Sequence, residues 1–323
     1  MELNNSIYTV NRTTFYCILL VPIFFAYAYL LISPYTEGDQ YYYRLFYTEL
    51  AETSAIDVIP LAIKKVASVE PISLYILWGG SNLGINKDVF ISLLNVVMLL
   101  GLFLLCRKYD VGPIPLFLLL TNFYIIVLMT GAERLKIAYI IAIWAALSSG
   151  NKSRILFGAS GLAHLQNVIM LPSLLLARYA ESMRRLLKAG KFRLQFIFAI
   201  IVLIVFASVF FGIFNDAIIR KVVSNMSHEA RDVGLTNLII LTVVAIFATK
   251  NRWRMFLLIL PMYPAVAILG GQRVNMIAVT LAIYLLITER ALNHPFVLLL
   301  LLYFSFKSIP FIQNIILYGS GFA

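Results

Sequence analysis

Long apolar runs alternate with short polar intervals along the whole chain. Each run is continuous, whereas the strands of a membrane barrel would alternate between apolar and polar residues. Most of the runs are long enough for membrane helices, and they cover residues 14–33, 88–106, 113–130, 135–149, 155–177, 194–212, 235–249, 255–271, 274–288 and 294–318. With a shorter apolar piece at 71–84, the pattern predicts an all-α, polytopic integral membrane protein of about nine to eleven membrane segments.

Composition supports this class. Of the 323 residues, 61% are hydrophobic and 13% are charged, and the mean hydropathy is +0.90. A water-soluble domain of this length cannot bury so much apolar surface, so the bilayer must serve as its solvent. We therefore expect one transmembrane domain over residues 1–323. Its first run, 14–33, is too long for a cleaved signal and is expected to remain as a helix.

The formal net charge is +11, and the positions of the basic residues along the chain predict which loops lie on each side of the membrane. Basic residues concentrate in cytoplasmic loops, which places Arg12, residues 107–108 and residues 250–254 inside. The polar regions of about 34–87 and 213–234 are then external loops. Because the basic residues fall between spans and no soluble basic domain carries them, nucleic-acid binding is not expected. Part of the positive charge is available for an anionic, lipid-linked substrate.

The most basic interval of the chain, 178–193, conflicts with a simple alternation of sides. If 155–177 crosses the membrane once, this interval is external, against the positive-inside rule. If 155–177 is instead a re-entrant or broken segment, 178–193 is cytoplasmic and every later loop obeys the rule. We favour the second interpretation, which places His164 near the tip of the irregular segment. The alternative keeps 178–193 external and moves the irregularity to 213–234.

Familiar catalytic motifs are missing from the sequence. Cys17 and Cys106 lie in or at the ends of apolar runs, so we expect free thiols and no disulfide. No P-loop, GxSxG, HExxH, Asp-x-Asp or Rossmann pattern occurs. An enzyme built on this chain is therefore expected to need no metal, nucleotide or other cofactor.

The first external region carries candidate chemistry of its own. Asp39 is followed by a group of tyrosines that includes Tyr42, and Glu70 precedes Pro71 at the start of the short apolar piece. Aromatic faces with a nearby carboxylate suit the binding of a glycan. The alternative is an ordinary aromatic belt at the membrane interface.

Three arginines, Arg44, Arg134 and Arg273, map to external ends of runs, where the positive-inside rule does not predict them. A guanidinium matches phosphate oxygens in pairs and stays charged at any working pH. We interpret the three as candidates for a phosphate or diphosphate site. The alternative is a structural ion pair, such as one that Glu133 makes with another helix.

Two further regions contribute candidates. His164 and Gln166 share a polar stretch within an apolar run, where His164 would accept a proton or orient a hydroxyl. The alternative for His164 is a hydrogen-bonded core histidine. Arg231 belongs to the mixed-charge loop 213–234, which is either a lid that grips a polymer or an ordinary solvated loop.

Several of these features form one pattern that covers most of the chain. Its parts are Asp39 with its tyrosines, Glu70-Pro71 before a short helix, Arg134 at a helix start, His164 before an aliphatic run that ends in Pro172, and the late Arg273. This pattern resembles the EpsG/Wzy family of bacterial O-antigen and exopolysaccharide polymerases. The sequence departs from the family pattern at two places. Leu135 replaces a glutamine after Arg134, and in the histidine motif Ala163 replaces an aromatic residue and Gln166 replaces a serine.

The resemblance implies a multi-pass glycosyltransferase of the bacterial inner membrane with its active face in the periplasm. Its donor and acceptor would be undecaprenyl-diphosphate-linked glycans, and a chain-length regulator and a flippase would be its partners in the membrane. The arginines and Gln166 would hold the diphosphate and the substrate. Asp39, Glu70 and His164 are the candidate catalytic bases, and Tyr42 would hold a sugar ring.

Three other functions remain open at this point. A ligase that transfers finished polymer to another acceptor needs the same diphosphate site. A transporter or flippase commonly shows repeated halves and polar groups near the middle of the membrane, whereas no repeat is visible here. The last alternative is a membrane subunit with a structural role only.

Overall fold

A computed structural model of the chain describes residues 12–189, 201, 228–269 and 271–322. Every regular element in these ranges is helical, which confirms the all-α prediction. Residues 1–11, almost all of the predicted span 194–212 and most of the predicted loop 213–234 lie outside the described residues.

The described helices are numbered here in chain order. Their bounds are α1 (Arg12–Ile32), α2 (Asp39–Leu50), α3 (Val58–Val66), α4 (Pro71–Asn82), α5 (Lys87–Lys108), α6 (Pro113–Leu120), α7 (Phe123–Thr130), α8 (Glu133–Leu147), α9 (Gly150–Ala163), α10 (Met170–Arg178), α11 (Ala180–Ala189), α12 (His228–Ala248), α13 (Arg252–Ile259), α14 (Met262–Leu269), α15 (Gly271–Thr288) and α16 (Pro295–Tyr318). A 3-10 helix, Leu165–Ile169, lies between α9 and α10.

The fold has two compact units, where the sequence predicts one transmembrane domain. Unit 1 consists of Met1–Leu105, Ile126–Ala163 and Ser308–Ala323. Unit 2 consists of Cys106–Ile125 and His164–Lys307. The first unit therefore contains the whole interval 34–87 together with the start of α8.

Several helices begin at residues that favour a helix start. Pro71 and Pro113 are the first residues of α4 and α6, a position where the missing N–H of proline costs nothing. The side chain of Asn251 caps α13 by accepting a hydrogen bond from the backbone N–H of Arg254 at 3.1 Å. The short helix predicted to follow Glu70 is confirmed.

Unit 1 is held together by an apolar cluster and by side-chain hydrogen bonds to α4. The fully buried members of the cluster come from α1 to α5, α8 and α9, and include Ile32, Phe46, Leu50, Val58, Ala62, Leu74, Leu77, Ile91, Ile137, Ala138 and Ala163. From α4, Ser73 donates to the carbonyl of Ala163 at 2.5 Å, and Ser81 donates to that of Tyr47 at 2.6 Å. These contacts fix the helix whose N-cap is Glu70.

The region 34–87, predicted as an external loop, is mostly helical because it folds into α2, α3 and α4. Likewise, residues 228–234 at the end of the predicted loop 213–234 belong to α12. Isolated helices as short as α2 to α4 are marginal in water. They are stable here because their apolar faces are buried in the cluster of unit 1, a tertiary effect that local polarity does not reveal.

The described helices include candidates for membrane spans. Helices α1, α5 and α16 are long and apolar enough to cross a bilayer, and α6 with α7 forms a fourth candidate, bent by 45° between the two helices. The protein is thus a helical chain with three or four candidate spans among its described residues. The larger total of about nine to eleven segments stays a prediction.

Three apolar runs that the sequence presents as continuous are divided in the structure. The break predicted within 155–177 is confirmed, because His164 has extended backbone between α9 and the 3-10 helix. The run 113–130 is divided at Asn122, whose side chain accepts a hydrogen bond from the backbone N–H of Tyr124 at 2.9 Å. The run 255–271 is divided next to Pro261, which cannot continue the hydrogen bonding of a helix.

A close contact between glycines in unit 2 leads to a first prediction. A Cβ atom added to Gly234 of α12 would lie 2.6 Å from the Cα of Gly271, the first residue of α15. Backbone cannot yield as a flexible side chain can, so Gly234→Ala must push the two helices apart. We expect a loss of about 1–3 kcal/mol in unfolding free energy, measured by thermal unfolding of the purified protein.

Gly158→Ala is the matched control. Gly158 lies within α9, and an added Cβ would meet nothing within 4 Å. Because alanine has a higher helix propensity than glycine, this variant should be neutral or more stable by up to about 1 kcal/mol. Equal stability of the Gly234 and Gly158 variants would contradict the contact between α12 and α15.

Candidate functional site

A cluster of charged residues in unit 1 lies where several helices begin. Glu70 is the N-cap of α4, Lys87 is the first residue of α5, and Glu133 is the first residue of α8. Side chains of α2, including Gln40 and Tyr43, reach the same cluster from one face of their helix. The N-terminal turn of a helix carries partial positive charge and free N–H groups, so a meeting of helix starts favours anions.

Arg134 connects two distant parts of the chain within this cluster. Its Nε donates to the hydroxyl of Tyr43 at 2.7 Å, and its Nη1 donates to Oε2 of Glu70 at 2.8 Å. Ser68 donates to the same carboxylate oxygen at 3.0 Å. The side chain of Arg134 is 19% exposed and that of Glu70 is 7% exposed, so the guanidinium is the more accessible of the two charged groups.

These contacts use only some of the N–H donors of the Arg134 guanidinium. A guanidinium has five N–H donors in a fixed plane. Within the described part of the chain, no hydrogen-bond acceptor faces Nη2 of Arg134, which leaves one end of the fork for a ligand. Burial raises the pKa of Tyr43 to about 12, although the neighbouring guanidinium acts in the opposite direction. The phenol therefore stays protonated at neutral pH.

A second pair lies deeper in the cluster. Nζ of Lys87 donates to Glu133 at 2.7 Å and to the side-chain oxygen of Gln40 at 2.5 Å. Gln40 in turn donates to the carbonyl of Thr130. Lys87 is 7% exposed and Glu133 is 1% exposed. This pair joins α2, α5 and α8 in a buried environment, where an ion pair is stable only if its hydrogen bonds are made.

Arg44 has a structural role in the fold. Its Nη1 forms an ion pair with Asp88 at 2.9 Å, and its Nη2 donates to the carbonyls of Ile32 and Tyr35 at 3.3 and 3.2 Å. These contacts agree with the structural ion pair that the sequence left open as the alternative. The predicted contact of Arg44 with a substrate gains no support from this geometry.

The ion pairs of the cluster neutralise three of its basic side chains, Arg44, Lys87 and Arg134. A further basic side chain, that of Lys136, is fully buried and donates to the carbonyl of Met129 at 2.7 Å. The feature that favours an anionic ligand is therefore the partly exposed guanidinium of Arg134 beside helix N-termini.

Two further predicted residues lie on α2 close to this cluster. Asp39 is the exposed first residue of α2, one helical turn before Tyr43. Tyr42 is 61% exposed and packs edge-to-face on Tyr41. Both side chains are open to a ligand beside Tyr43 and Arg134.

The remaining predicted residues belong to unit 2. His164 is buried at the break before the 3-10 helix, and Gln166 lies within that helix. Arg231 is in α12 and Arg273 is in α15. The side chains of Gln166, Arg231 and Arg273 lie outside the described part of the structure. Of the predicted arginine site, unit 1 therefore contains one arginine with geometry that suits a ligand, Arg134 with its partners.

Sequence reasoning missed four members of the cluster as site residues: Gln40, Lys87, Glu133 and Lys136. A usable signal existed for Lys87 and Glu133, because each is a charged residue directly before an apolar run. Lys136 is a cation inside such a run, which is costly and therefore informative. Gln40 has no sequence signal, since its importance comes only from its contact with Lys87.

Comparisons of the chain with protein-family models, with curated proteins and with solved structures give no match. Among the described residues, no group of three or more histidine, cysteine or acidic side chains is arranged to hold a metal ion.

Proposed function

We propose that this protein is an inner-membrane glycosyltransferase that polymerises undecaprenyl-diphosphate-linked oligosaccharides, as O-antigen or exopolysaccharide polymerases do. The observation that supports the proposal best is the group of Arg134, Tyr43 and Glu70. The guanidinium of Arg134 is partly exposed and has an N–H group left for a ligand, and the buried carboxylate of Glu70 lies next to it. A lipid-diphosphate donor needs these two kinds of group at its reacting end.

Arg134 would stabilise the departing diphosphate. When the anomeric carbon of the growing glycan is attacked, the bond to the diphosphate oxygen breaks and negative charge develops there. A fixed guanidinium at this position stabilises the developing charge without reorganisation of solvent. The partial positive charge at the start of α8 acts in the same direction.

Glu70 would accept the proton of the acceptor hydroxyl. Without substrate, Arg134 and Ser68 both donate to its Oε2. When Arg134 turns toward the diphosphate, Oε2 loses one of these donors and can accept the proton of the acceptor hydroxyl. Donor binding would thereby activate the base for the acceptor, which is a direct reason for their ion pair.

The exposed side chains of α2 would contact sugars. Tyr42 presents an open aromatic face, and Asp39 presents a carboxylate one turn before Tyr43. Such a pair suits the faces and hydroxyls of a pyranose. His164, Gln166, Arg231 and Arg273 remain candidate substrate contacts in unit 2, and the periplasmic location of the site and a chain-length regulator and flippase as partners belong to the proposal.

Glu70→Gln is the variant that tests the proposed base. Glutamine keeps the size of the side chain and an acceptor for Ser68 and Arg134, so the fold should be retained, but it cannot accept the proton. We expect polymer formation to fall about 100- to 10,000-fold. The measurement is a polysaccharide ladder on a gel from cells that lack the protein and carry either wild type or the variant.

The same gel distinguishes the alternatives. Single-repeat product in the deletion strain and in the Glu70 variant supports the polymerase. A full ladder that has lost its membrane anchor would identify a ligase, and absence of repeat units from the outer face would identify a flippase. Lys65→Ala is the control, because the exposed Lys65–Glu49 pair of the same unit should be dispensable for polymer formation.

A further inference from the structure

Two basic stretches that are distant in sequence meet in unit 2. The indole N–H of Trp253 in α13 donates to the carbonyl of Ala180, the first residue of α11, at 3.1 Å. Asn251 donates to the side chain of Glu181 at 3.3 Å. The start of α11 and residues 251–253 therefore lie side by side.

A cavity of about 330 Å³ opens between these stretches. Its polar lining includes Arg178, Glu181, Asn251, Arg254 and Tyr284. Its apolar lining is formed by Leu174, Ala177, Leu258 and Leu285. Guanidinium groups beside leucine side chains suit a ligand that has an anionic head and an apolar body.

Two acidic residues lie at or near the cavity. Glu181 lines it, keeps its charge and accepts the hydrogen bond from Asn251, and Glu289 forms an ion pair with Arg254 at 3.8 Å. Arg178 is exposed, and in the described part of the chain it has no ion pair; its guanidinium lies 5.9 Å from the ring centre of Tyr179. Arg178 is thus the cation at the cavity that is most available to a ligand.

The surface beside the cavity carries more positive than negative charge. Its exposed basic side chains outnumber the exposed carboxylate of Glu181, and they are Arg184 and Arg185 of α11, Lys250 and Arg252. Helix α11 buries Ala180 and Ser182 and leaves Arg184 and Arg185 exposed. Clusters of basic residues next to membrane helices are typical sites for anionic lipid headgroups.

We propose that this cavity binds the phosphate headgroup of an anionic membrane phospholipid, with Arg178 as its main contact and α11 lying along the membrane surface. The cavity shares no residue with the proposed glycosyltransferase cluster, and its ligand is a resident lipid and not a substrate. The leucines of the lining favour a lipid over free phosphate, because a soluble anion has no apolar part to bury.

The test uses the full chain purified in an uncharged detergent. Dioleoyl-phosphatidylglycerol, dioleoyl-phosphatidylcholine and millimolar inorganic phosphate are added separately, and lipid affinity and the thermal unfolding midpoint are measured. We expect saturable binding of phosphatidylglycerol with a rise in the midpoint, and no rise with inorganic phosphate. Phosphatidylcholine should bind at least about tenfold more weakly, since its headgroup carries no net charge.

Matched variants locate the site. Arg178→Gln should weaken phosphatidylglycerol binding about fivefold, whereas Arg178→Lys, which keeps the charge, should stay near wild type. Arg154→Gln removes the same charge from an exposed position in unit 1 and should have no effect. Because the readout is lipid binding, the result does not depend on whether the protein polymerises glycans.

Three results would overturn the proposal. Equal affinity for the two phospholipids would show that charge is not recognised. Equal affinity of the Arg178→Gln and Arg154→Gln variants would show that the lipid binds elsewhere. A stabilisation by inorganic phosphate as large as that by phosphatidylglycerol would identify a soluble anion as the ligand.

Discussion

Arg134→Ala is expected to abolish the polysaccharide ladder and leave single-repeat product, because the departing diphosphate loses its cation. Removal of one preorganised donor from a charge-stabilising site typically lowers the rate about 100- to 1000-fold. Arg134→Lys keeps the charge but lacks the planar guanidinium, whose separate nitrogens contact Tyr43 and Glu70. We therefore expect the lysine variant to retain part of the activity and the alanine variant none that a gel detects.

A folding defect must be separated from a catalytic one. Arg134→Ala leaves the carboxylate of Glu70, which is 7% exposed, without its positive partner, and this costs stability. The double variant Arg134→Ala/Glu70→Gln removes both charges and should accumulate in the membrane at near wild-type level. If that double variant still makes a full ladder, Arg134 and Glu70 have no part in the reaction and the proposed function is wrong.

The second large effect is expected at the buried pair of Lys87 and Glu133. Either Lys87→Met or Glu133→Leu leaves one charge in a site where the partners are 7% and 1% exposed. Breaking such a pair by removal of one partner costs about 3–5 kcal/mol. We expect each single variant to unfold at a much lower temperature than wild type and to be depleted from the membrane.

The double variant Lys87→Met/Glu133→Leu should recover most of this loss, because neither charge of the pair is then left without its partner. The exposed pair of Lys65 and Glu49 is the control, and its removal should change the unfolding free energy by less than about 1 kcal/mol. Losses that simply add in the double variant would contradict the described pairing of Lys87 with Glu133.

The two predictions involve neighbouring residues and distinguish their roles. Glu133 and Arg134 are consecutive at the start of α8, yet one is buried with Lys87 and the other is partly exposed with Glu70. A change at Glu133 should reduce the amount of folded protein, whereas a change at Arg134 should reduce polymer per molecule of folded protein. Measurement of both quantities for each variant separates the structural part of the cluster from the proposed reactive part.

Local signals in the sequence were sufficient for the class of fold and for some helix starts. Long apolar runs require a bilayer and helices within it, since every backbone polar group must be satisfied there. Pro71 after Glu70 predicts the start of α4, and the conflict of the basic interval 178–193 with the positive-inside rule predicts a break in the run 155–177. Glu70 and Arg134 were predicted as site residues because each is a charged residue beside an apolar run. A charge in that position is costly unless the group has a partner or a role.

The partners of those residues were decided by tertiary structure. Arg134 meets Glu70 and Tyr43 across 64 and 91 residues of chain, and Lys87 meets Glu133 across 46. Hydrophobic periodicity reports which face of a helix is buried but not which helix covers it. The choice depends on how the apolar faces of α2 to α5, α8 and α9 pack in one cluster, and that packing also turned a polar interval into short helices and assigned Arg44 to Asp88.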